Sequence, residues 1–415
     1  MRILVVSNLY PPHHIGGYEL GCRDVVGGLE ARGHQVKVLT TDYGLERPKR
    51  EGNVYRWLVW GQGKNLPLPP FPHNVAELLK KEWRNQRAFR SVAKAFRPQI
   101  IYLWNLRHLS TSLPLWAERW GVPVFYFVSD KEWTRIGSYE DDHWYEFLQR
   151  NFPNPKPAIS VGVWLLERAL KVSGIISSGT LRFPHIHFVS RFLKEDALKQ
   201  QKPVSHGEVI PWGVDLDFFR EKPPLPSSKR LLYVGQITPA KGVATAIEVV
   251  RQLVAQRGLE AASLTLVGGS VIPNFEQEMK DLVASLGLEN NIRFTGPLGR
   301  ERLPPVFAEH DILLFPSLLE EALAITILEA MACGLCVVAT ANGGNVEVLR
   351  HELNALIFEN TDAEGATACV LRLMHDEKLS ERLGRNGRQT VADNFELGKM
   401  VDRIESSLRA AIAAH

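Results

Sequence analysis

Hydrophobic residues come in short runs that alternate with longer stretches of helical periodicity, and this pattern appears twice along the chain. The strands predicted in the first half are 2–7, 35–40, 100–104, 122–128 and 185–190. The strands predicted in the second half are 230–234, 263–267, 292–295, 311–316 and 336–339. Helical periodicity predicts helices at 18–32, 75–96, 243–256 and 398–413. Strands joined through helices predict two α/β domains, each a Rossmann-like layer with a parallel sheet.

Proline and glycine near 202–209 mark the boundary between the two halves. We expect a first domain over 1–205, a second over 206–392, and a C-terminal helix over 393–415 that returns to the first domain. Two facing Rossmann-like domains place their switch-point crevices across an interdomain cleft. That arrangement suits a reaction between a nucleotide-bearing donor and an acceptor.

Composition excludes several other classes of protein. The chain has 415 residues, of which 45% are hydrophobic and 23% charged, as in ordinary globular domains. Lysine and arginine number 49 against 46 acids, and a balance this even argues against nucleic acid as a partner. The longest stretch without a charged residue has 17 residues and contains polar side chains, so no membrane span is expected. No signal peptide is evident and only four cysteines occur, which predicts a cytoplasmic protein.

The segment Phe315–Gly344 carries the strongest chemical signal, because it holds two glutamates eight residues apart. Glu321 is predicted at or before the N-terminus of an otherwise apolar helix, and Glu329 within that helix. At 100° per residue, Glu321 and Glu329 fall within about 80° of each other. A buried carboxylate needs hydrogen-bond donors, and the vicinal hydroxyls of a sugar or ribose supply them. The N-terminus of the same helix suits a diphosphate. The other interpretation is a capping Glu321 and a salt-bridged Glu329 in the core.

These residues resemble the retaining glycosyltransferases of family 4, whose signature is two glutamates separated by seven residues. The matching segments are Pro11–Glu19, Gly33–His34, Gly213–Asp215 with Phe218, Val234–Gly242, Glu329–Gly334 and Gly343–Gly344. The resemblance covers nearly the whole chain and implies the two-domain GT-B fold. It is specific in the second half and weak in the middle of the first half.

The resemblance implies particular roles. Glu321 would contact donor-sugar hydroxyls, Glu329 the ribose, and Lys241 the diphosphate leaving group. The expected donor-binding set is Gly16, Gly17, Gly235, Gln236, Lys241, Gly268, Leu298, Glu321, Ala324, Ile325 and Glu329. The other interpretations are a Lys241 that only caps its turn, and a plain tight turn at Gly16 and Gly17. No metal or other cofactor is expected.

The sequence departs from the family pattern at four places. Gln236 stands where relatives usually carry an arginine, Leu323–Ala324 replaces a Phe-Gly pair, and Cys336 replaces a proline. Where many relatives have a histidine, this chain has Asp130 after a predicted strand. Asp130 could bind an acceptor hydroxyl or stabilise positive charge on the sugar, and we include it with Glu321 and Lys241 as a catalytic candidate. It could equally cap the helix that follows.

Aromatic and basic residues of the first half suit a sugar or sugar-phosphate acceptor, because aromatic rings stack on sugars and arginine binds phosphate bidentately. The acceptor candidates are His13, Trp104, Arg107, Lys131 and Arg182, and core packing is the alternative for any one of them. The basic face of the helix at 75–96 could touch anionic lipid, although a solvated face also explains it. Cys333 and Cys336 resemble a redox or zinc pair, but no second pair lies nearby, which favours a structural role.

The expected function is retaining transfer of a hexose from a nucleoside-diphosphate sugar, with a UDP-sugar favoured, to an acceptor hydroxyl. The acceptor could be a sugar, a sugar phosphate as in sucrose-phosphate synthase, or a lipid-linked molecule. Two other functions stay open at this point. A sugar-nucleotide epimerase would convert the donor alone, and a non-catalytic nucleotide-sugar-binding protein would accord with Gln236 and the missing histidine.

Overall fold

The computed structural model describes residues 1–60, 73–106, 112–131, 181–222, 230–256 and 259–415, with the single positions 109, 165 and 168. They form two compact units. Unit 1 comprises Met1–Ile210 with Val401–His415, and unit 2 comprises Pro211–Met400. Unit 1 therefore runs to Ile210, where the sequence predicts 205, and unit 2 ends at Met400, where the sequence predicts 392.

An eight-stranded sheet forms the centre of unit 1. Its strands are β1 (Arg2–Val6), β2 (Gln35–Thr41), β3 (Lys49–Glu51), β4 (Val54–Leu58), β5 (Ile100–Leu103), β6 (Val124–Val128), β7 (His185–Phe188) and β8 (Glu208–Val209). The order is β3-β4-β2-β1-β5-β6-β7-β8, and every pair except β3 with β4 is parallel. Strands β5 and β6 are buried throughout because both faces of a parallel sheet are covered.

Four helices of unit 1 are described: α1 (Gly17–Ala31), α2 (His73–Phe96), α3 (Ser112–Glu118) and α4 (Arg191–Lys199). Helix α1 begins with a capping interaction in which the Gly16 N–H donates to the Glu19 carboxylate at 3.2 Å. Helix α4 begins at Ser190, whose hydroxyl accepts the Leu193 N–H at 3.3 Å. Both caps fix where a loop at the carboxyl edge of the sheet turns into a helix.

Unit 2 is built on a six-stranded, wholly parallel sheet. Its strands are β9 (Arg230–Val234), β10 (Ser263–Val267), β11 (Ile292–Gly296), β12 (Ile312–Phe315), β13 (Cys336–Ala339) and β14 (Leu356–Ile357). The order is β11-β10-β9-β12-β13-β14. The helices are α5 (Val243–Val254), α6 (Phe275–Ser285), α7 (Leu303–Ala308), α8 (Ile325–Ala332), α9 (Ala363–His375) and α10 (Glu377–Asn394). Buried aliphatic side chains from β9, β12, α5 and α9 form its core.

The last helix, α11 (Leu397–Ala414), contributes most of its residues to unit 1. Arg32 donates to Asp402 at 2.5 Å, and Glu405 makes a 2.9 Å contact with the ring of His34, which is 6% exposed. Val401 packs so closely on Gly28 that a side chain at position 28 would meet it at 2.7 Å. These contacts hold the helix that the sequence predicts to return to the first domain.

Two expectations about unit 1 are wrong. Strands β3 and β4 lie where no strand is predicted, because their short, mixed segments lack alternation of apolar and polar residues. The second concerns α2, because the helical periodicity of 75–96 predicts a core-facing stripe that includes Leu79 and Trp83. They are 42% and 59% exposed. No helix among the described residues is long and apolar enough to cross a membrane.

Candidate active site

The strand order of unit 2 places a switch point between β9 and β12. Strand β9 lies between β10 and β12, so the chain leaves β9 on one side and returns on the other. Ligands of open α/β sheets bind at the carboxyl ends of the strands at such a point. The loop after β9 holds Gly235–Lys241 and the loop after β12 holds Pro316–Ala324. The predicted donor residues of the second half are therefore brought to one edge of one sheet.

Three glycines allow these loops to approach each other closely. At Gly242 φ is +71°, and a Cβ would lie 1.9 Å from the Pro316 carbonyl oxygen. At Gly268 φ is +143°, and a Cβ would lie 1.8 Å from the Gly235 carbonyl oxygen. At Gly343 φ is +61°, and a Cβ would lie 2.3 Å from the Glu321 carbonyl oxygen. Only glycine combines these backbone angles with this proximity.

Lys241 and Glu321 form the centre of this edge. The Lys241 Nζ donates to Glu321 Oε1 at 2.5 Å, and the Ser317 hydroxyl donates to the same oxygen at 2.7 Å. The two side chains are 22% and 14% exposed, so the pair is partly shielded and open to solvent on one side. Burial, and then the charge of Glu321, raises the pKa of Tyr233 beneath them. A fixed charge pair at a switch point can hold a polar ligand.

Glu321 does not lie on the helix, and this corrects the helical geometry used to relate the two glutamates. Helix α8 begins at Ile325, four residues after Glu321. The 80° phase therefore does not describe the relation of Glu321 to Glu329. The backbone of Glu321 is held by the loop after β13, because its carbonyl accepts the Gly344 N–H at 2.6 Å. The Gly343–Gly344 pair thus positions the loop that carries Glu321.

Glu329 lies inside α8 and is 4% exposed. The Arg300 Nη2 lies 3.6 Å from Glu329 Oε1, and Arg300 is itself 4% exposed. The Arg300 guanidinium also lies 5.5 Å from the ring centre of Phe219. An arginine buried beside a buried carboxylate offsets its desolvation cost and limits its orientation. Arg300 follows Leu298, so the loop after β11 reaches Glu329.

The N-terminus of α8 is open to a ligand at part of its first turn. The Ala324 N–H donates to Asn345 Oδ1 at 2.9 Å, so that group is occupied. The first bond within the helix runs from the Ile327 N–H to the Ala324 carbonyl. The N–H groups of Ile325 and Thr326 precede this bond and lie at the positive end of the helix dipole.

The remaining donor candidates of unit 2 lie in the same loops. The Gly235 N–H donates to the Val267 carbonyl at 3.0 Å, and the Gln236 carbonyl accepts the Tyr233 hydroxyl at 2.7 Å. The Gly268 N–H donates to the Gly296 carbonyl at 3.1 Å. Leu298 is half-buried in the loop that follows β11. All of these positions stay predictions for donor contact.

Unit 1 brings together a smaller part of its predicted set. Gly16 and Gly17 lie at the start of α1, and a Cβ at Gly16 would meet nothing within 4 Å. Burial, and then the charge of Asp130, raises the pKa of Tyr18. Asp130 follows the end of β6 by two residues. The Tyr18 hydroxyl donates to the Phe127 carbonyl at 2.9 Å and fixes α1 to β6. The carboxyl ends of β1 and β6 therefore share one edge with Asp130.

Two acceptor candidates are corrected by the structure. Trp104 is fully buried and stacks on Phe127 at 4.2 Å between ring centres, so it belongs to the core and not to a ligand surface. Arg182 precedes β7, at the edge of the sheet opposite to the carboxyl ends. Its backbone N–H donates to Glu118 at 3.0 Å.

The other acceptor candidates differ in what surrounds them. The Lys131 ammonium lies 4.9 Å from the ring centre of Phe192, beside the end of β6. The His13 ring contacts Tyr43 edge-on at 6.3 Å. Arg107 lies outside the described residues.

Cys333 and Cys336 are buried free thiols, and burial raises the pKa of Cys333 to about 12 and of Cys336 to about 11. Such thiols are protonated at neutral pH.

Three positioning residues were missed by the sequence reading. Arg300 and Asn345 were passed over because neither belongs to the recognised motifs. Arg56, 2% exposed, donates to the carbonyls of Tyr10 and Pro11 at 2.9 and 2.6 Å. It therefore supports the loop that leads to Gly16. A buried arginine in an unrecognised strand gives no sequence signal except its charge.

Two family models match the chain. The model of the glycosyl transferases group 1 matches residues 215–390, and that of glycosyltransferase family 4 matches residues 15–218. The first covers the switch-point loops of unit 2, and the second covers the loop and helix that carry Gly16 and Gly17. Together they span both units.

Curated relatives and solved structures agree with these models. An uncharacterised glycosyltransferase of Methanocaldococcus jannaschii is 23% identical over 95% of this chain and 94% of its own. A GDP-mannose-dependent phosphatidylinositol monomannoside mannosyltransferase of Mycobacterium tuberculosis is 26% identical over 61% of this chain and 68% of its own. The structure of sucrose-phosphate synthase from Thermosynechococcus elongatus, 19% identical, superposes with a TM-score of 0.72 over 100% of both chains.

The structural likeness confirms the GT-B fold class and, at this identity, does not extend to the substrate. The family models carry the assignment further, because they match the segments in which Lys241, Glu321 and Glu329 lie. The chain belongs to the family 4 glycosyltransferases and is a glycosyltransferase.

Proposed function

We propose that the protein transfers a hexose, with retention at the anomeric carbon, from a nucleoside-diphosphate sugar to an acceptor hydroxyl. The observation that carries the proposal is the Lys241–Glu321 pair at the switch point, four residues before the start of α8. One edge of the sheet then offers a cation, a carboxylate and helix N–H groups to the diphosphate and sugar of one donor.

The leaving diphosphate would be bound by Lys241 and by the first turn of α8. The N–H groups of Ile325 and Thr326 point toward the helix N-terminus, where an anion is favoured. Negative charge grows on the diphosphate as the bond to the sugar breaks. Fixed donors that meet this charge lower the barrier, because they need no reorganisation during the reaction.

Glu321 would hold hydroxyls of the donor sugar. Both hydrogen bonds that the described residues make to its carboxylate, from Lys241 and Ser317, end on Oε1. Oε2 is then the oxygen offered to a sugar hydroxyl, while Oε1 stays fixed. Such a carboxylate orients the sugar without needing to move.

Glu329 would accept hydrogen bonds from the ribose hydroxyls. The Arg300 guanidinium, 3.6 Å away, offsets the cost of burying this carboxylate and limits its orientation. Arg300 therefore acts in this proposal as a positioning residue that touches Glu329 and not the reacting atoms.

Retention would follow from attack on the face that the leaving group departs from. The acceptor oxygen bonds to the anomeric carbon as the bond from that carbon to the phosphate oxygen breaks. The acceptor proton passes to the departing phosphate oxygen. Support for this route comes from the family resemblance alone.

The donor and acceptor are best identified together. UDP-sugars are the first donors to test, and GDP-mannose is the second because the mycobacterial relative is named for it. His13 in the loop after β1, and Asp130 and Lys131 after β6, are the acceptor-binding candidates that lie at the carboxyl edge of the unit 1 sheet.

The test is release of nucleoside diphosphate from UDP-, GDP- and ADP-sugars with simple sugars, sugar phosphates and lipid-linked sugars as acceptors. Release that requires one acceptor, with a product of retained anomeric configuration by NMR, supports the proposal. A product of inverted configuration refutes retention. Conversion of the donor with no acceptor indicates the epimerase, and nucleotide binding without turnover across the panel indicates the binding protein.

A further inference from the structure

Helix α2 has one face held firmly in unit 1. Phe89, Val92 and Phe96 are buried, with 1%, 2% and 8% of their surface exposed. Buried Glu82 accepts the Ser112 hydroxyl at 2.5 Å, and the Asn85 carboxamide oxygen accepts the Val59 N–H at 2.7 Å. These contacts fix the rotation of α2 about its axis, and therefore fix which side chains point outward.

The outward face carries two bulky apolar side chains. Trp83 is 59% exposed and Leu79 is 42% exposed, one helical turn apart. An exposed tryptophan beside an exposed leucine leaves apolar area in water that the described residues of unit 1 do not cover. The Arg87 guanidinium lies 5.2 Å from the centre of the Trp83 ring, so a cation flanks the aromatic group.

Four exposed cations share this face. They are Lys80, Arg87, Arg90 and Lys94. At 100° per residue these four, with Leu79 and Trp83, occupy an arc of about 100°. The helix has two acids: Glu82 is buried, and Glu77 lies about 160° around from Leu79.

Among the elements that the structure describes around α2, no acid neutralises the face. Arg84, which Asp42 contacts at 3.3 Å, lies outside the arc. The Arg90 guanidinium lies 4.0 Å from the centre of the Trp116 ring on α3, so an aromatic group and not an acid faces it. The adjoining Glu118 accepts the Tyr126 hydroxyl at 2.6 Å. Positive charge therefore persists along about 22 Å of helix, from residue 79 to residue 94.

We propose that this face, the α2 face of Leu79, Lys80, Trp83, Arg87, Arg90 and Lys94, binds the surface of an anionic phospholipid bilayer. Tryptophan suits the interface, because its ring sits among headgroups and its N–H stays hydrated. Lysine and arginine place their charges at the phosphates while their aliphatic stems cover apolar surface. A nucleic acid would use the cations without needing Leu79, and a protein groove would favour an uncharged stripe. The inference does not depend on the glycosyl-transfer proposal, since binding needs no substrate.

The expected affinity is moderate and sensitive to salt. Each basic residue near an anionic surface strengthens binding about fivefold, so removal of two weakens it about 25-fold. The effect fades within a Debye length, roughly 8 Å at physiological salt.

The test is co-sedimentation of the full chain with vesicles of phosphatidylglycerol and phosphatidylcholine mixed, against vesicles of phosphatidylcholine alone. We expect binding only to the anionic vesicles. Lys80→Gln/Arg87→Gln should weaken binding about 25-fold, and Trp83→Ala should weaken it about tenfold at unchanged net charge. The matched control, Lys378→Gln/Arg385→Gln, removes two exposed cations from α10 and should bind as the parent does.

Three results would overturn the proposal. The first is absence of binding to anionic vesicles at low salt. The second is equal loss in the α10 control, which would make net charge the cause. The third is unchanged vesicle binding by Trp83→Ala, which would indicate a general polyanion site. Unfolding temperatures of all variants, which alter exposed side chains only, verify that each is folded.

Discussion

Units 1 and 2 share the same succession of strands and helices, yet they differ in how their sites are built. In unit 2 the candidate site comes from loops of one sheet, and its key atoms, Lys241 Nζ and Glu321 Oε1, lie 2.5 Å apart. In unit 1, Trp104 proved to be core and Arg182 lies at the opposite edge of the sheet. In unit 2, close approach of backbone segments constrains the conformation of the loops that carry the candidate site. In unit 1, the acceptor candidates were suggested only by their aromatic or basic residue type. The structure brings the donor candidates of unit 2 to one edge of one sheet, whereas it places Trp104 and Arg182 of unit 1 away from such an edge.

The largest expected effect tests whether unit 2 carries the chemistry. Glu321→Ala should lower kcat/KM about 1,000-fold, close to 4 kcal/mol, because sugar orientation and the Lys241 partner are lost together. The matched control is Glu248→Ala, which removes a half-buried glutamate that contacts Arg251 at 2.6 Å on α5, and it should retain activity. Steady-state nucleotide release measures both variants, and near-normal activity of Glu321→Ala would move the site elsewhere.

Arg300 tests whether a buried positioning residue supports the donor site. Arg300→Met leaves Glu329 as a buried carboxylate without this neighbour, which should lower the free energy of unfolding by about 3 kcal/mol. Arg300→Lys keeps the charge and should fold, with a donor KM raised about tenfold and kcat retained. Chemical denaturation and donor-dependence kinetics make the two measurements. An unchanged donor KM in Arg300→Lys would reduce Arg300 to a purely structural role.

Gly242 tests the close approach of the two switch-point loops. Gly242→Ala should lower the free energy of unfolding by about 2 kcal/mol more than Gly287→Ala does, because position 242 adds a clash to an unfavourable φ. Gly287 has φ of +67° with open space around it, so it isolates the backbone cost. Denaturant unfolding measures both variants. Equal destabilisation of the two would show that the loop at Pro316 can move away from the added Cβ.

A smaller effect is expected in the core of unit 1, where buried His187 should make the free energy of unfolding depend on pH. Burial lowers the pKa of His187 to about 3, and its Nδ1 lies 2.9 Å from the Tyr102 hydroxyl. The unfolded chain takes up a proton below pH 6.5 while the folded one does not. Stability is therefore full above pH 6.5 and falls from there toward pH 3, by about 1.4 kcal/mol at pH 5.5.

His187→Gln serves as the comparison for that pH effect. Denaturation of this variant between pH 7.5 and 5.5 should lose about 1.4 kcal/mol less than the parent loses. His310, whose pKa burial also lowers, remains in both proteins and cancels in the difference. Parallel pH profiles of parent and variant would contradict the assignment.

Sequence patterns predicted the elements of unit 2 well, because parallel strands buried on both faces appear as unbroken apolar runs. Strands β9, β10 and β13 have the predicted bounds, and the family motif located Lys241 and Glu321. Periodicity left open whether Glu321 begins α8 or precedes it, because the start of the helix depends on Asn345, which accepts the Ala324 N–H from 21 residues further along the chain. Nor did it find the antiparallel β3 with β4, or the burial of Arg56 and Arg300. Those features depend on contacts between distant segments, which residue order does not contain.

Calorimetric titration with nucleotides is the most direct test of whether Lys241 binds the diphosphate and Glu329 the ribose of the donor. The parent is first titrated with UDP, GDP and ADP to find the nucleoside diphosphate that binds best. The affinities for that diphosphate and for the matching monophosphate are then measured in the parent, in Lys241→Ala and in Glu329→Ala. We expect Lys241→Ala to weaken binding of the diphosphate and to leave binding of the monophosphate unchanged, while Glu329→Ala weakens both alike. Equal diphosphate affinity in the parent and Lys241→Ala would contradict a donor site built on the Lys241–Glu321 pair.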